Sequence, residues 1–508
     1  MQLKLHHLHT IIWVYLTKQI YPILILAFMV GVSQAKAQWP ADGGQVPRID
    51  IDIENGYTVT SRNYYLNADF KITGYGLYHD FKNTVQIKGR GNNSWNYSKK
   101  SYRLKFNEKV KLFGLKKGKS WVLQANPQHG SLMVNAIAMK IGQLINAPYT
   151  NHTIPVELYI NGEYQGSYIF TEKIGLGNNS VDIDEELAYM LELDSYYDED
   201  FKFRSAHSGL PVNIKDPNLQ EFANGTVSSS VLQSFLNDNC RNSIPSQNLP
   251  NSSLTATIIS NYNAQNAIFN IIKEQFNRLD SIVCNNGDLS EVLDLDAAAR
   301  YVLINELVFN REILNPKSTF LWKADITTPD SKFVLGPVWD FDYAFGYVNN
   351  EYFSDVTEKK CIVGGIYPGC SFFTALMENK EFQRHYYKVW CEFVENGCID
   401  EVMEFIADYY EFVKESYRHN AQKWGDNTDY ATLVPHMQQW IKKRHDHIVS
   451  NLTVYDISDI IGDDTENATR DYRTGIYTIY GKRVADKENL QQGLYIINGE
   501  KVFIKRQY

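Results

Sequence analysis

"VELYINGEYQGSYIF", residues 156–170, decides the fold class. Two runs of alternating apolar and polar residues flank Asn161-Gly162, the dipeptide that a type I′ turn prefers, so the stretch predicts a β-hairpin. The same pattern extends outward. "NTVQIKGRG" alternates, and so does "SYRLKF", with Tyr102, Leu104 and Phe106 on one face and Arg103 and Lys105 on the other. From about Ile49 to Ile183 the chain is expected to be strand-rich. One helix interrupts it over "GSLMVNAIAMKIGQLI", with Ser131 near its N-cap.

Further along, polar loops are expected from about Asn178 to Asn251, with "YMLELD" as a strand carrying alternating acids. Helical periodicity then runs through "ATIISNYNAQNAIFNIIKEQFNRL" and "DLDAAARYVLINELVFN". A short strand pair follows, "STFLWKA" and "KFVLGPVWDFD". Three more helical stretches cover about Phe373 to Glu395, Ile399 to Gln422 and Tyr430 to Leu452. After the polar linker "DDTENATRDY", several short strands with glycine turns suggest a small β unit over residues 470–508. The pattern as a whole is α+β.

Of the 508 residues, 44% are hydrophobic, enough for a sizeable core, and the net charge of −9 is spread along the chain. No long basic block exists, which argues against a nucleic-acid partner. Residues 1–37 read as a secretory signal peptide: a mildly basic start, the apolar run "IYPILILAFMVGV", then "AKA" ending at Ala37. No later apolar run has membrane length, so no transmembrane segment is expected after cleavage, and the location would be secreted, periplasmic or cell-surface. Six cysteines, none in a CxxC, suggest disulfides rather than zinc, with Cys361–Cys370 the leading candidate pair across a Gly/Pro-rich loop.

Two places carry candidate chemistry. "KGRGNNSWNYSKKSYRLKF" gathers Arg90, Lys99, Lys100, Arg103 and Lys105 around a Gly/Asn/Ser turn. It reads either as a phosphate or carboxylate cradle or as a solvated hairpin face. "GPVWDFDYAFG", residues 336–346, sets Asp340 and Asp342 two apart among apolar neighbours. Close carboxylates repel, more so when buried, unless a cation compensates. They read either as ligands of a divalent ion or as a turn cap with a salt bridge. If the strand persisted, both would share a face. Acids this close in sequence are an unlikely glycosidase pair, because those residues face each other across a cleft.

Taken together, these segments resemble the CotH-like kinases, atypical protein kinases named for a spore coat protein. The segments are "IKGRGNNSWNYSKKSYRLKF", "LFGLKKGKSWVLQAN", "SLMVNAIAMKIG", the opening hairpin through "TEKI", "YMLELD", and "NELVFNREILNPKSTFLWKAD" leading to "GPVWDFDYAFG". The tail resembles the short C-terminal segment of many secreted Bacteroidetes proteins. The resemblance implies a kinase-like domain over residues 49–452, with a strand-rich N-terminal lobe and a mainly helical C-terminal lobe. It implies ATP and Mg²⁺ (or Mn²⁺) as cofactors and transfer to Ser or Thr of an exported protein. Asp342, with Asp340, would hold metal. Arg90, Lys99, Lys100 and Arg103 would meet phosphates, and Glu172 would orient a basic residue or the metal. Asn310 and Glu312 would stand at the catalytic base, where many members carry Asn-x-Asp. A basic residue common in the family is replaced by Val134. The alternative is an inactive kinase-like surface protein that binds a protein or glycan. The acids, the Lys99–Lys105 cluster and Glu172 are expected in one cleft.

Overall fold

The computed structural model describes residues 45–220 and 253–452, with breaks at 128–129, 329, 350, 356 and 358–370, together with the strands of the tail. The leader and the Cys361–Cys370 pair lie outside the described residues. Seven strands close into a barrel: β1 (Arg48–Ile53), β2 (Leu66–Thr73), β3 (Phe81–Arg90), β4 (Ser101–Val110), β5 (Gly118–Gln124), β6 (Ile154–Ile160) and β7 (Glu163–Glu172). Their order is β1-β2-β3-β4-β5-β7-β6, and a parallel pairing of β6 with β1 seals the ring. The β6–β7 hairpin turns at Asn161 and Gly162, both at positive φ (51° and 77°), as a type I′ turn requires. Tyr102, Leu104 and Phe106 point inward and are buried. Edge-to-face packing of Phe70 on Phe106 (5.2 Å) and stacking of Trp121 on Phe170 (5.1 Å) help fill the interior. The barrel interior is thus a core, and its chemistry must sit on its outer face.

Helix α1 (Val134–Leu144) follows β5 and begins two residues later than a Ser131 cap suggests, with Met133 at the N-cap. Leu132 takes a left-handed φ of 57°, which no α-helical residue can share. The Ser131 hydroxyl instead accepts from the Met133 N–H at 3.3 Å.

A second sheet contains β8 (Tyr189–Leu193), β9 (Lys202–Arg204), β10 (Pro211–Asp216), β11 (Thr319–Lys323) and β12 (Phe333–Leu335), in the order β12-β11-β8-β10-β9. Strands β9 and β10 fall where loops were expected. "PVNIKD" has little pattern of its own, and pairing along both edges, with β8 and β9, is what makes it a strand. Strand β12 stops at Leu335. Gly336 has φ 118° and Pro337 offers no N–H, so the ladder cannot run on to the acids.

The helices are α2 (Ser253–Cys284), α3 (Leu295–Leu307), α4 (Ser371–Glu378), α5 (Lys380–Glu395), α6 (Cys398–Trp424) and α7 (Tyr430–Ser450). The single helix expected over 373–395 breaks at Asn379, whose side chain accepts from the Phe382 N–H at 3.1 Å and caps α5. The tail adds a four-stranded sheet: β13 (Ile476–Thr478), β14 (Arg483–Val484), β15 (Gly493–Ile497) and β16 (Glu500–Ile504). The chain is α+β, and no described helix is long and apolar enough to cross a membrane.

Helix α7 is pinned to the end of α3 by a buried ion pair. The Arg444 guanidinium, fully buried, donates to the Glu306 backbone oxygen at 2.6 Å and to its Oε2 at 3.1 Å, and lies 4.6 Å over the Phe309 ring. Removing one member leaves the other charge buried and uncompensated. Arg444→Ala is expected to destabilise the protein by about 3–5 kcal/mol in denaturant unfolding, the usual cost of breaking a buried pair. A loss below about 1 kcal/mol, the level of an exposed pair, would contradict it.

Candidate functional site

A cavity of about 560 Å³ lies between the outer face of the barrel and the second sheet. Alternation along β4 turns Arg103 outward while its neighbours fill the barrel. Its cross-strand partners Lys88 on β3 and Val122 on β5 share that outer face, and all three line the cavity. Lys173, one residue beyond β7, joins them. Above this wall the β3–β4 turn carries Arg90 and Gly91. Gly89 must lack a side chain, because a Cβ would lie 2.2 Å from the Trp95 ring. Gly91 sits at φ 93°, open to few other residues. The turn reaches across: Asn93 Nδ2 donates to the Tyr343 hydroxyl at 3.4 Å.

The facing wall is acidic. Strand β8 supplies Glu192 and, just past its end, Asp194. Lys215 is ion-paired to Glu192 (2.9 Å) and to Glu199. Glu312 comes from a 3₁₀ turn, Arg311–Leu314, capped by the Asn310 side chain, which accepts from the Glu312 N–H at 3.2 Å. Asp340 and Asp342 come from the segment after β12. Asp340 has φ 62°, so a sharp turn rather than strand alternation places the pair. An apolar patch of Val122, Ile174, Phe320 and Trp339 borders the charges, and the Arg90 guanidinium lies 5.1 Å over the Trp339 ring.

Buried Asn135, on α1, fixes the acidic turn. Its Oδ1 accepts from the Phe341 N–H at 2.9 Å, and its Nδ2 donates to Asp342 Oδ1 at 3.1 Å and to Asn126 Oδ1 at 2.9 Å. The Tyr352 hydroxyl donates to the Asp342 backbone oxygen at 2.6 Å.

Charge crowding shows in the proton affinities. Burial raises Asp340, against the pull of Arg90. Burial and then the Asp340 charge raise Asp342, while Asn135 opposes. Glu312 is raised well above the carboxylate range by burial and Asp340. Asp194 is pushed up to about 7, chiefly by burial. On the other wall burial brings Lys173 down to about 8, partly offset by Asp216. Glu312 Oε2 and Arg103 Nε are buried without a hydrogen-bond partner among the described residues. Both walls therefore favour a ligand that brings a cation to the acids and an anion to the bases.

The cavity brings together Arg90, Arg103, Glu312, Asp340 and Asp342. It leaves out Lys99, Lys100, Glu172 and Asn310. Lys99 is buried elsewhere and donates to the Ser167 backbone oxygen at 2.5 Å, while Lys100 donates to that of Trp95 at 2.5 Å. Glu172 points away, to the His152 N–H (2.9 Å) and ring (2.7 Å). The single expected cleft is corrected accordingly: strand alternation gives the cavity Lys173 in place of its neighbour Glu172. Lys173, Lys215, Glu192, Asp194 and Asn135 were not singled out as site residues. Glu192 and Asp194 were visible as the alternating acids of "LELD" and Lys173 as the neighbour of Glu172 in "TEK", while Lys215 gave no signal and Asn135 none beyond its place in "SLMVNA".

A divalent ion suits hard oxygen donors such as Asp340 and Asp342. Among the described residues no three His, Cys, Asp or Glu side chains stand grouped for a metal. The two aspartates fit an ion whose remaining ligands come with the substrate, as Mg²⁺ commonly has with phosphates.

Fold and site together define an α+β protein with opposed cationic and acidic walls around one cavity. The family model described as CotH kinase protein matches residues 87–448, well over half of the 508. The chain belongs to the CotH kinase protein family. No match was found among curated proteins.

Asn135→Ala leaves the Phe341 N–H and Asp342 without their partner. It is expected to cost about 1–3 kcal/mol of stability, read by denaturant unfolding; an unchanged midpoint would refute the anchoring role.

Lys99 yields a pH test. Burial lowers its pKa to about 7, against the pull of Asp426. In the unfolded chain an amine titrates near ~10.4, so between about pH 7 and 10 the unfolded state binds more protons. Stability from this group therefore rises with pH across that window. Lys99→Met is expected to flatten the rise in Tm between pH 7 and 9.5. An identical slope in the variant would overturn the assignment.

Proposed function

We propose that the protein is a phosphotransferase of the protein-kinase type, using ATP with Mg²⁺ or Mn²⁺ and acting on Ser or Thr of an exported protein. The carrying observation is the opposition of Arg90, Arg103 and Lys173 to Asp340, Asp342 and Glu312 across one cavity beside an apolar patch. A volume of about 560 Å³ lies within the range of small-molecule sites. In this reading the barrel serves as the smaller, strand-rich lobe and the helical part as the larger. The expected leader directs the protein to the periplasm, the cell surface or the medium.

The nucleotide would supply the transferable phosphoryl group, and the metal would offset its charge. Asp340 and Asp342 hold the metal side. Arg103 and Lys173 lie on the barrel face, where phosphate oxygens complement them, and Arg90 bridges to the Trp339 ring. Lys215, locked between Glu192 and Glu199, keeps Glu192 from adding a further uncompensated charge. Glu312 accepts the proton of the attacking hydroxyl. Burial and the Asp340 charge raise its affinity for a proton, which favours it as the acceptor.

Glu312 stands where many members carry Asp, and this favours a second reading, a non-catalytic surface protein that binds a protein or glycan. The test is calorimetric titration with ATP and Mg²⁺, followed by labelled-phosphate transfer to a mixture of exported proteins. The kinase reading expects binding that requires metal. Asp342→Asn should weaken it by about tenfold or more, as loss of a charge-assisted contact does. Glu312→Gln should retain binding and lose transfer by at least about a hundredfold, the typical share of a general base. Binding without transfer in the unmodified protein supports the second reading, and absence of metal-dependent binding removes the first.

A further inference from the structure

Lys317 is a cavity-lining cation to which the proposed chemistry has assigned no role. It lies between the 3₁₀ turn that carries Glu312 and strand β11. On the acid-bearing stretch from Glu312 to Tyr343 it is the one basic residue lining the cavity. It makes no ion pair among the described residues, although Glu312 and Asp340 both feel its charge. Instead two tyrosines hold it. Its Nζ is 5.1 Å from the centroid of the Tyr196 ring and 5.8 Å from that of Tyr343.

The backbone beneath it is also fixed. The Ser195 N–H donates to the Pro316 oxygen at 2.9 Å, tying the loop to the end of β8. The Thr319 hydroxyl donates to the Lys317 oxygen at 3.1 Å, and Ser318 takes a positive φ of 48°. A surface lysine ordinarily keeps its rotamer freedom and its hydration. Here two aromatic faces replace part of the water shell, and the loop is anchored on both sides.

Resting on the phosphotransferase reading, we propose that Lys317 contacts the terminal phosphate of the bound nucleotide and so discriminates triphosphate from diphosphate. The cations divide by wall. Arg103, Lys88 and Lys173 share the barrel face, and Lys215 is committed to two glutamates. Arg90 reaches the acids from the end of β3 and lies over the Trp339 ring, whereas Lys317 is the cation that the acid-bearing stretch itself places where a hydroxyl would be deprotonated and a metal held. The phosphate that leaves the donor must reach that place, and the inner phosphates need not. Asn93 and Tyr343 meet at the same end of the cavity, so the β3–β4 turn closes over the position that Lys317 addresses.

The test compares affinities for ATP and ADP, each with Mg²⁺, by calorimetry on the full chain, with thermal unfolding as a check of folding. Lys317→Met is expected to weaken ATP binding by about tenfold to a hundredfold, the contribution of one charge-assisted contact. ADP binding should stay within about twofold, since the contact to be lost is to the third phosphate alone. Lys317→Arg, which keeps the charge, should recover most of the preference for ATP. An unchanged ATP-to-ADP ratio in a folded Lys317→Met protein overturns the Lys317 assignment and leaves the phosphotransferase reading standing. If the Met variant unfolds, a Lys317→Arg protein with no preference for ATP overturns it equally, and one with the preference supports it. If the unmodified protein binds neither nucleotide, both proposals fall.

Discussion

The side-chain amide of Asn135 joins two parts of the chain that lie about two hundred residues apart. It bonds the backbone of Phe341 and the carboxylate of Asp342 at once. Asp340 and Asp342 repel each other and are partly desolvated, so without an anchor the turn between them would open toward water. A charged anchor would cancel the very field that a metal would need. A neutral amide holds the geometry and leaves the charge in place. Its position on a helix packed beneath the site lets it act from the protein side, away from the cavity.

That arrangement needs the two cores to be held in register. The barrel has its own apolar interior, and the helices and second sheet share another. A third, smaller cluster bridges them, with Val122 from β5, Met139 from α1, Ala297 from α3, and Trp339 beside the acids. The apolar patch in the cavity is the exposed edge of this bridge. The cavity therefore lies where the barrel face, the sheet and both helices meet, and cations and acids reach it from separate elements.

The barrel was the most legible part of the sequence, because period-two alternation and Asn161-Gly162 are local signals. Glu172 was named from the family resemblance and not from alternation; alternation past the end of β7 turns its neighbour Lys173 toward the cavity instead. Strand β10 was hidden because its pairing comes from β8 and β9 and not from its own pattern. The break at Asn379 was hidden because a capping asparagine interrupts neither composition nor periodicity. At the acids the pairing of residue types was visible, but the turn was not. Gly336-Pro337 ends the strand, and the left-handed Asp340 could not be read from an apolar run. Asn135 was silent for a related reason: a lone amide on an apolar helix is defined only by the distant partner it meets.

Glu312 raises the remaining question of reach. A glutamate extends one methylene beyond an aspartate, and about 1 Å of misplacement can cost a hundredfold in rate. Its backbone is set from α3: Asn310 caps its turn and also donates to Asn305 Oδ1 at 3.0 Å, while Arg444 holds the helix end. The aspartates are set from α1 through Asn135. The gap between Glu312 and the two aspartates is therefore governed by how closely α1 packs on α3. Gly142 marks that approach, since a Cβ there would lie 2.8 Å from Thr150 Oγ1 and 3.3 Å from Ile304 Cδ1. A larger residue would have to push the helices apart, separating Glu312 from Asp342 without touching either. The longer side chain is thus tolerated, or not, by a helix contact on the far side of the core and not by any residue in the cavity.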